Sequence, residues 1–192
     1  SLNHHHNTFM TIPVQYSPVN TPINQKLINL YNFEDYKNKI IHKVHHSYKS
    51  FPYFNSGYSL LKEILTFQTL SASEFITNSL SLVCSYLGLT NSFFFSSNFK
   101  GHEKLKGQKK VLSIIKNFSC DNYINPIGGK DLYDKNFFNS EGIKLSFLNP
   151  NPIKYSAYFI NENINNELSI LDLIMRESPS YINDLLDDYQ LI

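Results

Sequence analysis

The chain has 192 residues, with 17 basic and 16 acidic side chains and a formal net charge of +1. That length favours one domain and can bury roughly 70% of its extended surface without disulfide or metal staples. A 42% hydrophobic and 15% aromatic content excludes a disordered chain, and near-neutral charge argues against a protein built to grip nucleic-acid phosphates. No apolar run approaches the ~18 residues of a membrane span.

Residues 1–8 contain His4, His5 and His6, which read as a metal-binding tract or, more simply, as a cloning remnant. They are set apart as a tag or truncated N-terminus, and residues 9–192 as a single α/β domain. Residues 9–14 (FMTIPV) are rich in strand formers, and 25–30 alternates enough to pair with them across a Pro/Asn turn, which predicts an antiparallel ribbon. From Glu34 the spacing of Ile41, Val44, Tyr48 and Phe51 predicts a helix that Pro52 ends. A second helix is predicted over about 56–67. Ser71 and Glu74 form a capping-box pattern before a third, whose apolar face carries Ile76, Leu80, Val83, Cys84 and Leu87 and which Gly88 stops.

Residues 91–96 (NSFFFS) read as a short buried strand. Residues 103–118 then read as an amphipathic helix whose lysines form a solvated face. Residues 122–125 (NYIN) are the next strand, 130–138 a short helix, and 143–148 (IKLSFL) a third strand. A strand–helix–strand–helix–strand order implies parallel strands. Tyr155 to Ile160 reads as an edge strand and 161–166 as a loop. Ser169 and Ser178-Pro179 start two terminal helices, with Asp172 near the positive end of the first. The expected fold is therefore α/β, with a small, mostly parallel sheet flanked by helices, an antiparallel N-terminal ribbon and C-terminal helices.

Ligands of open α/β sheets sit beyond the carboxyl ends of the strands. That rule selects Ser96-Ser97-Asn98, the loop from Asn125 to Lys130, and Asn149 to Asn151. Gly128 and Gly129 allow positive φ and close approach of a ligand, and a following helix would turn its N–H groups toward an anion beside Lys130. The alternative for this pair is a tight turn that needs glycine for geometry alone. Ser96 and Ser97 read as phosphate donors or as a simple cap. No nucleophile elbow, Walker loop or dinucleotide fingerprint is present. His42 and His46 stand one helical turn apart and are weak metal candidates, since no glutamate follows His42. Cys120 reads as core rather than as a nucleophile. Neither cysteine sits in a paired motif, and a reducing cytoplasm is the expected location. The residues name no cofactor. The 23 Asn and 16 Lys against one Arg and two Ala read as nucleotide bias rather than chemistry.

Residues 123–134 (YINPIGGKDLYD) resemble the WbqC-like protein family of bacteria. Residues 11–14 (TIPV), 48–54 (YKSFPYF), Ser96-Ser97, 105–108 (LKGQ), 142–147 and 168–172 (LSILD) agree with it in order. The family's opening Gln-Pro, aromatic-rich motif and Asp-rich strand have no counterpart here. The resemblance implies a transferase in O-antigen or other surface-polysaccharide synthesis, moving a glycyl or other acyl group onto an amino sugar nucleotide. Its small-molecule substrate would then carry a diphosphate at Gly128, Gly129 and Lys130. Ser96 and Ser97 would assist, and Tyr123, Asn125, Tyr133 and Asp134 would contact the sugar or shape the pocket. The competing expectation is a non-catalytic interaction module in a glycan-assembly complex, with the aromatic surplus covering an interface.

Overall fold

The computed structural model describes residues 9–155 and 168–192. In chain order its helices are α1 (Leu30–Tyr48), α2 (Phe54–Thr66), α3 (Ala72–Tyr86), α4 (Gly107–Ile115), α5 (Lys135–Ser140), α6 (Ile170–Arg176) and α7 (Pro179–Leu186). The strands are β1 (Asn122–Pro126), β2 (Lys144–Pro150) and β3 (Tyr189–Leu191). The chain divides into two compact units. Unit 1 comprises Ser1–Ser92 and Ile153–Leu185, and unit 2 comprises Phe93–Pro152 and Leu186–Ile192.

In unit 1 the predicted helices form, with shifted ends, but the apolar face expected for α3 is corrected: Ile76 and Leu80 are exposed, and the helix buries Ala72 and Phe75. Helix α1 begins four residues before Glu34 because Asn29 caps it, its side chain accepting from the Asn32 N–H. The α3 cap is half a capping box. Ser71 Oγ accepts from the Glu74 N–H, but the Glu74 carboxylate accepts from Thr69 Oγ1 at 2.6 Å, and Thr69 Oγ1 in turn accepts the Ser71 N–H at 3.0 Å. Gly88 ends the helix at φ +72°, in the left-handed region. Phe33, Phe54, Leu61, Leu65, Phe75 and Met175 fill one core cluster, with Phe33 meeting Phe75 edge-on at 5.6 Å. Helices α2 and α6 approach closely at Gly57, where an added Cβ would lie 2.9 Å from Ile174 Cγ2 and from Met175 Sδ.

The expected N-terminal ribbon is reduced to a single antiparallel bridge, Val14 with Ile28. It is held by Gln15 N–H to Leu27 O at 2.8 Å and Asn29 N–H to Pro13 O at 3.0 Å. Beyond it Leu27 bridges Ser71 instead. Pro13, Pro18 and Pro22 supply no N–H for a longer ladder.

Unit 2 holds the sheet, in the order β1-β2-β3. β1 pairs parallel with β2, from Asn122 with Lys144 to Pro126 with Leu148. β2 pairs antiparallel with β3, from Leu148 with Leu191 to Pro150 with Tyr189. The sheet is therefore mixed, which corrects the expectation of a mostly parallel one. Two segments account for the difference. The run at 91–95 forms no strand: Phe93 and Phe94 stay exposed, and Phe94 meets Phe118 edge-on rather than joining a ladder. Instead the C-terminus supplies β3, with Phe147 and Ile192 exchanging N–H to O bonds at 2.8 and 3.0 Å. Central β2 buries Leu145 and Phe147, covered by Leu112 and Ile115 of α4 and Phe138 of α5. Helix α4 is shorter than its amphipathic pattern. Gly107 stands at φ +52° at its start, and Lys116–Phe118 tightens into a 3-10 turn. Cys120 is exposed rather than core. The edge strand expected over 155–160 and the loop over 161–166 fall, apart from Tyr155, outside the described residues.

Candidate functional site

β1 alternates: Ile124 is exposed, while Tyr123 and Asn125 turn half-buried to the other face. The strand ends in Pro126 and passes into a 3-10 turn, Ile127–Leu132, so Gly128, Gly129 and Lys130 lie just beyond the carboxyl end of a parallel strand. Tyr123 O–H donates to Asn125 Oδ1 at 2.8 Å, and Asn125 Nδ2 donates to the Pro126 carbonyl at 2.9 Å. The Asn125 side chain is thereby folded over the turn, and Gly129 is buried beneath it. A Cβ at Gly129 would overlap Asn125 Nδ2 and lie 3.0 Å from the Tyr133 ring. Tyr123 stacks on Phe138 with centroids 5.9 Å apart, and Tyr133 meets the same ring edge-on at 6.1 Å. Burial, and secondarily the neighbouring Tyr133, push the Tyr123 phenol above its ordinary value, so it remains a protonated donor at neutral pH.

This geometry changes the role of the glycine pair. Neither Gly128 nor Gly129 has positive φ. Gly129 is needed because Asn125 and Tyr133 leave no room for a side chain, whereas Gly128 is exposed with nothing within 4 Å of an added Cβ. Lys130 is exposed in the same turn. The Asp134 carboxylate caps α5 by accepting from the Asn136 N–H at 2.8 Å, and the Asp134 N–H donates to Gln108 Oε1 at 2.9 Å. Gln108 is thus a positioning residue that sequence reading passed over, although it stands in the LKGQ block.

Tyr123, Asn125, Gly129 and Tyr133 come together, with Gly128 and Lys130 on the open side of the same turn. Ser96 and Ser97 do not join them. They are exposed in a separate turn, Ser96–Asn98, with no strand before it, and among the described residues no hydrogen bond ties them to the β1 turn. The third strand-end loop is occupied by an acid: Asn151 donates its backbone N–H to the Asp188 carbonyl at 3.1 Å and its side-chain amide to the Asp188 carboxylate at 2.5 Å. His42 and His46 are exposed on α1, and among the described residues no group of three His, Cys, Asp or Glu side chains is placed to share an ion.

Unit 1 contains a buried polar assembly that sequence reading missed. Asp172 and Arg176, one turn apart on α6, pair at 3.0 Å with side chains 2% and 6% exposed. Asp172 also accepts from Tyr48 O–H at 2.9 Å and from Tyr155 O–H at 2.6 Å. The Arg176 guanidinium lies 4.1 Å from the Phe51 ring centre, a cation–π contact. For both phenols burial is the leading cause of a pKa well above the ordinary tyrosine value, and the Asp172 charge and hydrogen bond add to it.

The model of the WbqC-like protein family matches residues 2–184. The chain belongs to this family. No curated protein and no solved structure matches the chain. The blocks that carry the likeness to the WbqC-like family meet in pairs. YKSFPYF supplies Tyr48 and Phe51, and LSILD supplies Asp172, to one buried assembly. LKGQ supplies Gln108, which holds the Asp134 end of YINPIGGKDLYD.

Proposed function

We propose that this chain is a transferase of surface-polysaccharide biosynthesis that holds an amino sugar nucleotide at the β1 turn while its amine takes a glycyl or other acyl group from an activated acyl donor, the acyl–carrier bond breaking to release the carrier and the amine giving up a proton. Membership of the WbqC-like family supports a role in polysaccharide biosynthesis at most. The observation that carries the finer reading is the asymmetry of the glycine pair. Gly129 is locked under Asn125, while Gly128 opens to solvent beside Lys130, beyond the carboxyl end of a parallel strand. A backbone without Cβ next to a flexible ammonium suits a diphosphate. In this reading Gly128 and Lys130 touch the ligand. Tyr123, Asn125, Gly129, Tyr133 and Asp134 hold the turn in shape, and Ser96 and Ser97 have no part.

Isothermal titration with UDP- and dTDP-linked amino sugars tests the site. Lys130→Ala and Gly128→Leu are expected to weaken binding at least about tenfold while leaving the unfolding midpoint unchanged, because both positions are exposed. Gly129→Ala is expected to destabilise by about 1–3 kcal/mol through overpacking against Asn125. Absence of nucleotide-sugar binding by the native protein sinks the proposal.

A non-catalytic interaction module is the second reading. It rests on the N-terminal stretch, where Phe9, Tyr16, Val19 and Tyr31 are each at least 90% exposed. Under it, Gly129→Ala destabilises in the same way, but Lys130→Ala changes no ligand affinity.

A further inference from the structure

Helix α3 carries an apolar row that unit 1 does not cover. Its Ala72 and Phe75 enter one core cluster, and Val83 and Leu87 belong to another. Ile76 and Leu80 join neither, and they are 41% and 49% exposed. They stand one turn apart on one face of the helix, and half-buried Cys84 continues the row a turn further on. Beside this ridge, three positions back along the helix, runs a lower row of Ser73, Thr77 and Ser81. The hydroxyls next to the ridge already have partners. Ser73 Oγ lies 3.0 Å from Ser71 Oγ, and Thr77 Oγ1 donates to the Ser73 carbonyl at 2.9 Å. They can leave water without being left unsatisfied. The row is also free of charge. Glu74 is the one charged residue of α3, and its carboxylate accepts from Thr69 Oγ1 at 2.6 Å. It falls on the far side of the helix from Ile76 and Leu80, because each residue advances about 100°. By contrast α1, α2, α4 and α7 expose Lys39, Glu63, Lys109 and Asp184.

We propose that the α3 row seats a second copy of this chain, in a two-fold dimer built on a crossing of the two α3 helices. A two-fold contact sets one surface patch against the same patch of the other copy, so a charge within it faces its own sign. The Ile76–Leu80–Cys84 row has no charge to repel. Its shape is self-complementary as well: the ridge of one copy fits the groove beside Ser73 and Thr77 of the other, the commonest way helices pack. A foreign protein would be told apart by complementary charge, and this row offers none. A lipid surface is the other apolar occupant, but α3 holds no lysine or arginine to engage anionic headgroups around the row. The proposal stands apart from the sugar-nucleotide reading, since α3 belongs to unit 1 and the β1 turn to unit 2.

Sedimentation equilibrium of the whole chain tests the proposal without any sugar nucleotide, so its failure leaves the β1-turn reading standing. The chain is expected to be dimeric at about 100 μM and to dissociate on dilution, because a contact built round one helix lies at the small end of specific interfaces. The double variant Ile76→Lys, Leu80→Lys sets like charges across the two-fold and is expected to associate at least about 100-fold more weakly. Leu80→Ala, which keeps the helix propensity and adds no charge, should associate several-fold more weakly. Ser85→Lys places the same charge on the far side of α3 and should leave association unchanged. All these variants alter exposed positions, and an unchanged circular dichroism spectrum verifies their fold. A native chain that stays monomeric up to about 1 mM overturns the proposal. So does a dimer that the double lysine variant leaves intact, or one that Ser85→Lys breaks as fully. A monomeric chain that sediments with phosphatidylcholine vesicles assigns the row to a lipid surface and overturns it equally.

Discussion

Asp172→Ala is expected to lower the unfolding free energy by about 3–5 kcal/mol, the range seen when one partner of a buried ion pair is removed. The side chain is 2% exposed and accepts three hydrogen bonds, from Tyr48, Tyr155 and Arg176. Its loss strips two half-buried phenols and the buried guanidinium Nε–H of their common acceptor. Asp172→Asn, which keeps one acceptor oxygen but not the charge, should fall between the two. Urea unfolding at neutral pH measures both, and a loss below about 1 kcal/mol for the alanine variant would mean that the assembly behaves like a surface pair.

The same assembly predicts an alkaline limit. Tyr48 and Tyr155 bind their protons more tightly in the folded chain than the ordinary phenol value of 10.0 allows, first through burial and then through Asp172. A group whose folded pKa is raised contributes its full stability below the unfolded value and loses it as the pH climbs toward the folded one. Stability should therefore decline once the pH passes about 10. Replacing both tyrosines by Phe should lower stability at neutral pH and flatten that alkaline decline. An unchanged slope in the double variant would remove these two groups as its source.

Phe138→Ala is expected to cost about 3–5 kcal/mol, as for other large-to-small changes at a fully buried aromatic. Phe138 is 0% exposed and is the ring against which Tyr123 stacks and which Tyr133 and Phe137 meet edge-on. Truncating it undermines Tyr133, which lies against Gly129, and Tyr123, which holds Asn125 over it, so the β1 turn should loosen along with the core. Urea midpoints give the first effect. Near-ultraviolet circular dichroism gives the second, because Tyr123 and Tyr133 would lose their fixed surroundings. Retention of the native near-ultraviolet signal would show that the turn is held by the Tyr123–Asn125 bond without the ring beneath.

The place of the candidate site was legible for a simple reason. A glycine pair after a strand with β-forming residues marks a strand-end turn whatever packs around it, and β1 and the turn lie within two residues of their expected positions. What each glycine does was not legible, because it depends on where the Asn125 side chain folds. Ser96 and Ser97 were grouped with the turn on the premise of a strand at 91–96. That premise failed because an apolar run becomes a strand only where an edge is open to pair with it, and β2 has β1 on one side and β3 on the other. Gln108 and Phe138 carry no chemical signature of their own, and they matter only through what they touch.

By itself the sequence determined the family, the long helices of unit 1 with their Ser71 cap and Gly88 stop, and strands β1 and β2. All of these rest on local periodicity, capping residues or ordered short blocks, which need no knowledge of distant contacts. Tertiary structure alone decided that the sheet is mixed, since β3 comes from the last residues of the chain and only pairing with β2 makes it a strand. It also decided that Asp172, an apparent helix-end charge, is the centre of a buried assembly with Tyr48, 124 residues away. The physical difference is range: a helix cap is fixed within one turn, while a buried carboxylate is defined by whichever distant groups close around it. The near-neutral charge that first excluded a nucleic-acid grip is an average of the same kind, and it conceals a stretch with six lysines between residues 100 and 116.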